Sequence, residues 1–433
     1  MAGHVVLFED EGYRNFYPLT LNNPVYSLRC GIRMLGEKIQ AAYPRATFVY
    51  HVRKLLEPFL KEYLGYRKIN CAVNECKAEN ALLVNGRALW YEEFGQNIRI
   101  EGPDKIFVRD DTVIAARLSG ANLAAVDWSQ PITLNRLPQV EKIEVDYPVL
   151  KYPWNLVQNN SKEILREFKA LARPGEIEGT VYEGVHILGR EHVYIAAGAK
   201  VMHGVVIDAE EGPVFIDKDA KIFPNAVIEG PTYVGKKSAI KIGAKIYEGT
   251  SVGPVCKVGG EVEESIIHSY SNKQHDGFLG HAYLGLWVNL GANTNNSDLK
   301  NEYGTVKVTI NGERVDTGSL FVGCTIGDHS KTGINTMLNT GTVIGIGCNI
   351  YGSGLPPTYV PSFCWGGPDG FVEYRADKFI QVAKRVMEYR VDKFIEVARR
   401  VVSRRDMEMG PEEEALLRKI HEMTAEERKA VCA

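Results

Sequence analysis

No stretch of this chain reaches the ~18 uninterrupted apolar residues that a membrane span requires, and its eight cysteines include no Cys-x-x-Cys pair. The first absence argues against a membrane protein. The second, with Cys71 and Cys76 spaced as CAVNEC, argues against zinc-pair spacing. Thiols scattered through a long chain read as mostly reduced core residues of a cytoplasmic protein. Neither charge dominates: 51 Lys and Arg face 54 Asp and Glu, for a net charge of -3. That balance gives no reason to expect nucleic acid or an anionic membrane as partner. A basic region before an apolar core is also missing at the start, where HVVLF runs straight into EDE, so no secretory signal is expected. At 433 residues, two or three domains are the prior.

What the chain does have is a count in sixes. Ile216, Ile222, Ile228, Val234, Ile240, Ile246, Val252 and Val258 form an unbroken ladder, led in by Ile195, Val201 and Ile207. After a two-residue slip the count resumes at Ile266, Asn272, Phe278, Leu284 and Leu290. It returns at Leu320, Ile326, Thr332, Leu338, Ile344 and Ile350. Period six suits neither a helix nor an alternating strand. It suits a parallel β-helix, in which each short strand sends one aliphatic residue inward before a corner. A β-sandwich would need eight Ile or Val residues to share one register by chance. Residues 296–319 leave the ladder, and TVKVTINGERVD carries Asn311-Gly312 between alternating residues, the signal of a hairpin projecting as a flap.

The ends read differently. HVVLF, ATFVYHV, ALLVNGRALW, IRIEG, KIFVRDDTVIAARL and ITLNRL, with the amphipathic GIRMLGEKIQAAY, make residues 1–148 an α/β domain. Residues 152–172 suggest a connecting helix within a 149–178 linker, with Asn160 as N-cap and Glu163 at capping-box spacing. Past residue 373, YRADKFIQVAKRVME is followed directly by YRVDKFIEVARRVVS, a tandem 15-residue duplication. Phe379, Ala383 and Val386 are continued by Phe394, Ala398 and Val401 on one helical face, so residues 359–433 read as helices that cap the solenoid or pack between subunits.

The ladder, GHAYLG and VNLGANT together resemble the left-handed β-helix acyltransferases. YPWNLV, YSNKQHDGFLGH, NNSDLKNEYG and PSFCWGG extend the likeness over nearly all of residues 1–405. The whole is similar to a divergent branch of the bifunctional N-acetylglucosamine-1-phosphate uridyltransferase and glucosamine-1-phosphate N-acetyltransferase family. The resemblance implies an α/β nucleotidyltransferase-like domain, a hexapeptide-repeat left-handed parallel β-helix over 179–358 and a C-terminal helical segment. It implies a homotrimer with acetyl-CoA in the groove between neighbouring solenoids, and a histidine that deprotonates the amine of a sugar-1-phosphate. His281 falls at that position, and an imidazole suits the role because it titrates near working pH. Tyr283, Asn289 and Ala292 match sugar- and acyl-contacting positions, and GDHSKTG, with Lys331 and Gly333, matches a stretch lining the donor groove. His275, six residues before His281, is a polar surface residue or a substrate contact. Lys273 and Asp276 are phosphate-binding and orienting groups or solvated corner residues, and Asn272 is expected to form an internal amide ladder. The chain is about one hexad short between the histidine and VNLGA, and the family's Asn-Tyr pair becomes Asp298-Leu299.

The N-terminal domain departs further. Where relatives carry a Gly-rich phosphate loop and a Pro-Lys pair, this chain reads LFEDEGYRNFYPLTLNNPVYSLRCG. Arg87 in LLVNGR stands in place of a metal-binding Asp. Arg14 and Arg29 remain as phosphate-binding candidates or structural arginines, and Asp10 as a Mg²⁺ candidate. Three readings follow: acetyl transfer on the solenoid; nucleotidyl transfer from a nucleoside triphosphate to a sugar-1-phosphate, with Mg²⁺; or a sugar-phosphate-binding scaffold without turnover.

Overall fold

The computed structural model describes residues 3–398 and 409–432. An α/β domain, a hexapeptide-repeat parallel β-helix and a C-terminal helical segment follow one another along the chain, in the order the sequence implies. No helix among the described residues is long and apolar enough to cross a membrane.

In the first domain β1 (His4–Phe8), β2 (Thr47–Tyr50), β3 (Ala72–Val73), β4 (Asn80–Asn85), β5 (Lys105–Arg109), β6 (Thr112–Ser119) and β7 (Glu141–Glu144) form one sheet in the order β3-β2-β1-β4-β6-β5-β7. β1 lies centrally, parallel to β2 and β4, and Val5 to Phe8 are all buried. HVVLF therefore reads as a continuous apolar run rather than an alternation. IRIEG is not a strand, because Arg117 takes the carbonyls of Arg99, Glu101 and Pro103 that a ladder would need. ITLNRL likewise folds into a short 3-10 turn at Leu134–Arg136. The amphipathic helix begins at Leu35 rather than Gly31, because Gly31 turns at φ +81° and Arg29 bridges Met34.

The linker helix is Pro153–Leu171, with Pro153 in its first turn and the Asn155 amide oxygen accepting from the Tyr152 N–H at 3.0 Å. Asn160 is therefore not its cap. It lies mid-helix and fully buried, accepting from the Gly31 N–H at 2.6 Å and donating to the Gly249 carbonyl at 2.7 Å. One amide thus joins the first domain, the helix and the solenoid. On the same helix Glu163 and Glu167 hold the buried Lys38 ammonium at 2.6 and 2.7 Å.

The solenoid has three faces, and one coil is three hexads. Ile195, Ile216, Val234, Val252, Ile267, Leu284, Ile326, Ile344 and Val360 stack on the first face through nine parallel strands. Val201, Ile222, Ile240 and Val258 stack on the second, and Ile207, Ile228, Ile246 and Val262 on the third. Two steps are short: Val258 to Val262 spans four residues and Val262 to Ile267 five. The shortening shifts the register that the sequence suggests. The inward residues are Ile267, Lys273 and Leu279, not Ile266, Asn272 and Phe278. Leu320 is 43% exposed and outside the column.

The chain leaves the coil after Asn296 and rejoins it at Ile326. Between them Lys307–Ile310 and Glu313–Asp316 form an antiparallel hairpin turning at Asn311-Gly312, both at positive φ. The hairpin does not project. Val306, Val308 and Ile310 pack against Trp154 of the linker helix, and the Asn311 amide donates to the Arg14 carbonyl at 3.0 Å. In the C-terminal helix Ala376–Ala398, Phe379, Ile380, Ala383 and Met387 cap the end of the solenoid against Ile346 and Phe363, together with Leu416, Leu417 and Ile420 of Pro411–Met423. Val386 is half-buried beside them. Phe394, Ala398 and Val401 of the second copy lie outside the described side chains.

Candidate active site

His281 is the corner residue between the third-face strand Phe278–Gly280 and the first-face strand Tyr283–Leu286, at φ +46°. Its N–H donates to the Glu263 carbonyl at 3.2 Å and its carbonyl accepts from Gly323 at 3.0 Å, so the backbone is fixed on both sides. The ring is fixed as well. Nδ1 lies 2.8 Å from Asp298 Oδ2, and the Phe321 ring stacks on the imidazole with centroids 5.1 Å apart and planes 24° apart. The side chains of His281 and Asp298 are 20% and 14% exposed. An Nδ1–H donating to the carboxylate leaves Nε2 as the ring's free lone pair. Two further acids face this corner, Glu263 and Glu264. Burial pushes both carboxyls up, and the nearby imidazole pulls them partly back. In the sequence Asp298 is only a departure from a family pattern; the pairing across 17 residues arises because Asn295–Asn296 stacks on Phe278–Gly280 and carries Asp298 over His281.

The other expected residues scatter. His275 and Asp276 are exposed at the preceding corner of the same coil, separated from His281 by a whole strand, so the two histidines occupy successive corners. Asn272 does bond Asn289, Nδ2 to Oδ1 at 3.0 Å, but from the outward register of the second face. Lys273 is not available to a phosphate: it points inward, 2% exposed, and its ammonium donates to the Gly259 and His275 carbonyls at 3.0 and 2.9 Å. Tyr283 is 1% exposed. Its hydroxyl accepts from the Arg29 N–H at 2.9 Å among Phe16, Leu19 and Leu28, so it glues the first domain to the solenoid and faces no open groove. Asn289 and Lys331 are neighbours on the second face, and Ala292 and Gly333 follow at the corner toward the third. The Lys331 ammonium donates to the His329 carbonyl at 2.9 Å. Within one chain, then, His281 stands at the corner between the third and first faces, and these four residues stand on the second face and the corner that follows it.

In the first domain, the residue expected to hold a metal is engaged in an ion pair. Asp10 Oδ1 accepts from the Gly12 N–H at 3.0 Å and from Arg87 Nε at 2.7 Å, while Oδ2 accepts from Asn85 at 2.9 Å and from the other arm of Arg87. Glu9 is fully buried and takes Arg53 on both oxygens, at 2.8 and 3.0 Å. With both Asp10 oxygens doubly occupied, these residues do not fit Mg²⁺, which demands free carboxylate oxygens in near-octahedral array. No cluster of three or more His, Cys, Asp or Glu residues among those described could hold a metal. Arg29 is 4% exposed, bonded to the Ile32 carbonyl and lying over the Tyr233 ring at 5.6 Å, so it serves the seam between domains. Arg14 is the one nucleotide-site candidate that reaches solvent, and it pairs with Glu11 at 3.1 Å.

Fold and site together define a hexapeptide-repeat parallel β-helix joined to an N-terminal α/β domain. Residues 5–174 match the family model of sugar nucleotidyl transferases. The chain is 36% identical over 199 residues to a bifunctional sugar-1-phosphate nucleotidylyltransferase/acetyltransferase from Sulfurisphaera tokodaii, covering 46% of this chain and 43% of that protein. It is 27% identical over 230 residues to the bifunctional protein GlmU of Bartonella quintana, covering 52% and 46%. The match thus spans less than half the length of these curated relatives. Among solved structures, the UDP-N-acetylglucosamine acyltransferase from Campylobacter jejuni aligns over 57% of this chain and 96% of its own, at 14% identity and a TM-score of 0.23.

Proposed function

We propose that the solenoid transfers an acetyl group from acetyl-CoA to the amine of an amino-sugar-1-phosphate, with His281 as general base. The observation that carries this reading is the held imidazole: Nδ1 on Asp298, one ring face on Phe321, and Nε2 left over at a solenoid corner. As the amine nitrogen bonds to the acyl carbon, its proton passes to Nε2. The C–S bond breaks and the sulfur leaves as thiolate, which is reprotonated. A positioned base of this kind contributes roughly 10²–10⁴-fold. Asn289 and Lys331 lie on the second face, and Ala292 and Gly333 at the corner beyond it, away from the His281 corner, which favours a groove completed by a second copy of the chain. That supports a homotrimer with the donor between neighbouring solenoids, a heterologous arrangement that closes on itself.

The nucleotidyl-transfer reading is less well supported, because Asp10, Glu9, Arg53 and Arg87 neutralise one another where an incoming nucleoside triphosphate would need them. In our reading the first domain is a structural partner of the solenoid. The test is thiol release from acetyl-CoA with glucosamine-1-phosphate, for wild type and His281→Ala. Pyrophosphate release is followed in parallel with N-acetylglucosamine-1-phosphate and each nucleoside triphosphate. Thiol release lost in His281→Ala, without pyrophosphate, is expected. Pyrophosphate alone would move the chemistry to the first domain. A folded protein silent in both assays would favour the non-catalytic scaffold.

A further inference from the structure

We infer that the inserted hairpin between Asn296 and Ile326 is a clamp for the base, and that Asp298 and Phe321, its two feet, are positioning residues for His281. This rests on His281 being the base. The feet are tied to each other: Leu299 bridges Phe321 in antiparallel fashion, and the Val322 N–H donates to the Asp298 carbonyl at 2.9 Å. Between them they fix two independent freedoms of the imidazole. The carboxylate at 2.8 Å sets which nitrogen carries the proton, and the stacked ring sets the plane. The hairpin is itself immobilised at a distance. Its apolar side packs on Trp154, and its tip bonds the Arg14 carbonyl, so the linker helix and the first domain buttress the ring from behind. A hairpin anchored along its length cannot serve as a lid, and its place beside a solenoid corner whose histidine is held by a carboxylate gives it a task.

The groups facing the imidazole are Asp298 and Phe321 from the insertion and Glu263 and Glu264 from the preceding coil. Glu263 and Glu264 are pushed toward their neutral forms by burial, whereas Asp298 makes the direct bond. Removing Asp298's charge therefore withdraws the closest support for the imidazolium that forms as the amine is deprotonated.

The experiment measures kcat and KM for acetyl-CoA against pH, with glucosamine-1-phosphate as acceptor. It compares wild type with Asp298→Asn, Asp298→Glu, Phe321→Leu and His281→Ala, after circular dichroism has shown each to be folded. For Asp298→Asn, kcat is expected to fall about 100-fold, with KM for acetyl-CoA within about twofold of wild type and the acid limb of kcat displaced to lower pH. Asp298→Glu should keep the acid limb of wild type at a smaller loss of kcat, and Phe321→Leu should lower kcat without moving the limb. If Asp298→Asn does not fold, Asp298→Glu and Phe321→Leu decide the matter by these same two criteria. Full activity in His281→Ala would sink the base itself. Loss in His281→Ala with wild-type kcat and an unmoved limb in Asp298→Asn would overturn only the positioning role, as would a rise in KM that accounts for the whole effect.

Discussion

Lys273 offers a test of the solenoid that does not depend on its chemistry. It occupies an inward position, paired below with Val258 and followed above by Leu290, where the column is otherwise aliphatic. Burial pushes its ammonium down from 10.5 to about 8, against weaker support from Asp276 and Glu261. A drop of that size is worth about 3 kcal/mol at 1.36 kcal/mol per pH unit. The direction follows from proton counting. Between pH 8 and 10.5 the unfolded chain holds this proton and the folded chain does not, so stability rises with pH through that window. Integrated from pH 7 to 9.5, the relief is about 2 kcal/mol. Buried tyrosines and cysteines with raised values act in the opposite sense at high pH, so the informative quantity is the difference from Lys273→Met. At pH 7 the variant sheds the penalty but loses two hydrogen bonds, worth about 1–1.5 kcal/mol each. The two proteins should therefore lie within about 2 kcal/mol of each other. Urea unfolding followed by circular dichroism at both pH values should show wild type gaining about 2 kcal/mol on the variant. Parallel pH dependences would refute the placement of a charged amine inside the coil.

Two further outcomes are expected. Arg87→Ala leaves Asp10 buried without its guanidinium and should cost about 3–5 kcal/mol in urea unfolding. Asp10→Asn in the same background should recover part of that loss. Glu413 on the C-terminal helix is pushed up to about 7 by burial, by Asp328 and by Glu62, so the folded state holds its proton more tightly than the unfolded one. Docking of Pro411–Met423 should therefore weaken as pH rises from about 4.5 to 7. Glu413→Gln should make the C-terminal segment more resistant to limited proteolysis at pH 8 than wild type, and equal resistance would refute this.

The solenoid was legible because one inward residue per hexad must be aliphatic for the coils to stack, a demand renewed every six positions from Ile216 to Val258. The legibility ended where the demand was met differently. The two short steps after Val258 move the phase by three residues, so the column resumes one residue beyond the one the spacing suggests. Ile266, Asn272 and Phe278 still look like ladder residues because each sits beside the true inward one. Asn160 misled in a related way: its capping-box spacing is real, but its amide is consumed between two other segments of the chain. The strands of the first domain were legible where they are central and apolar, as in β1 and β4. They were not where a single guanidinium claims the carbonyls, as Arg117 does at residues 99–103.

By itself the sequence determined the repeat and the hairpin turn at Asn311-Gly312, while His281 and the missing phosphate loop stood out only against the family it resembles. The first two are local properties: a period, and a turn that needs positive φ twice. Tertiary structure decided which charges meet. Asp10 finds Arg87, Tyr283 turns to the backbone of Arg29, Lys273 turns inward, and Asp298 returns to His281. Partners far apart along the chain are chosen by how the coils, the linker helix and the inserted hairpin pack, and a carboxylate's role is set by what it faces once water is excluded.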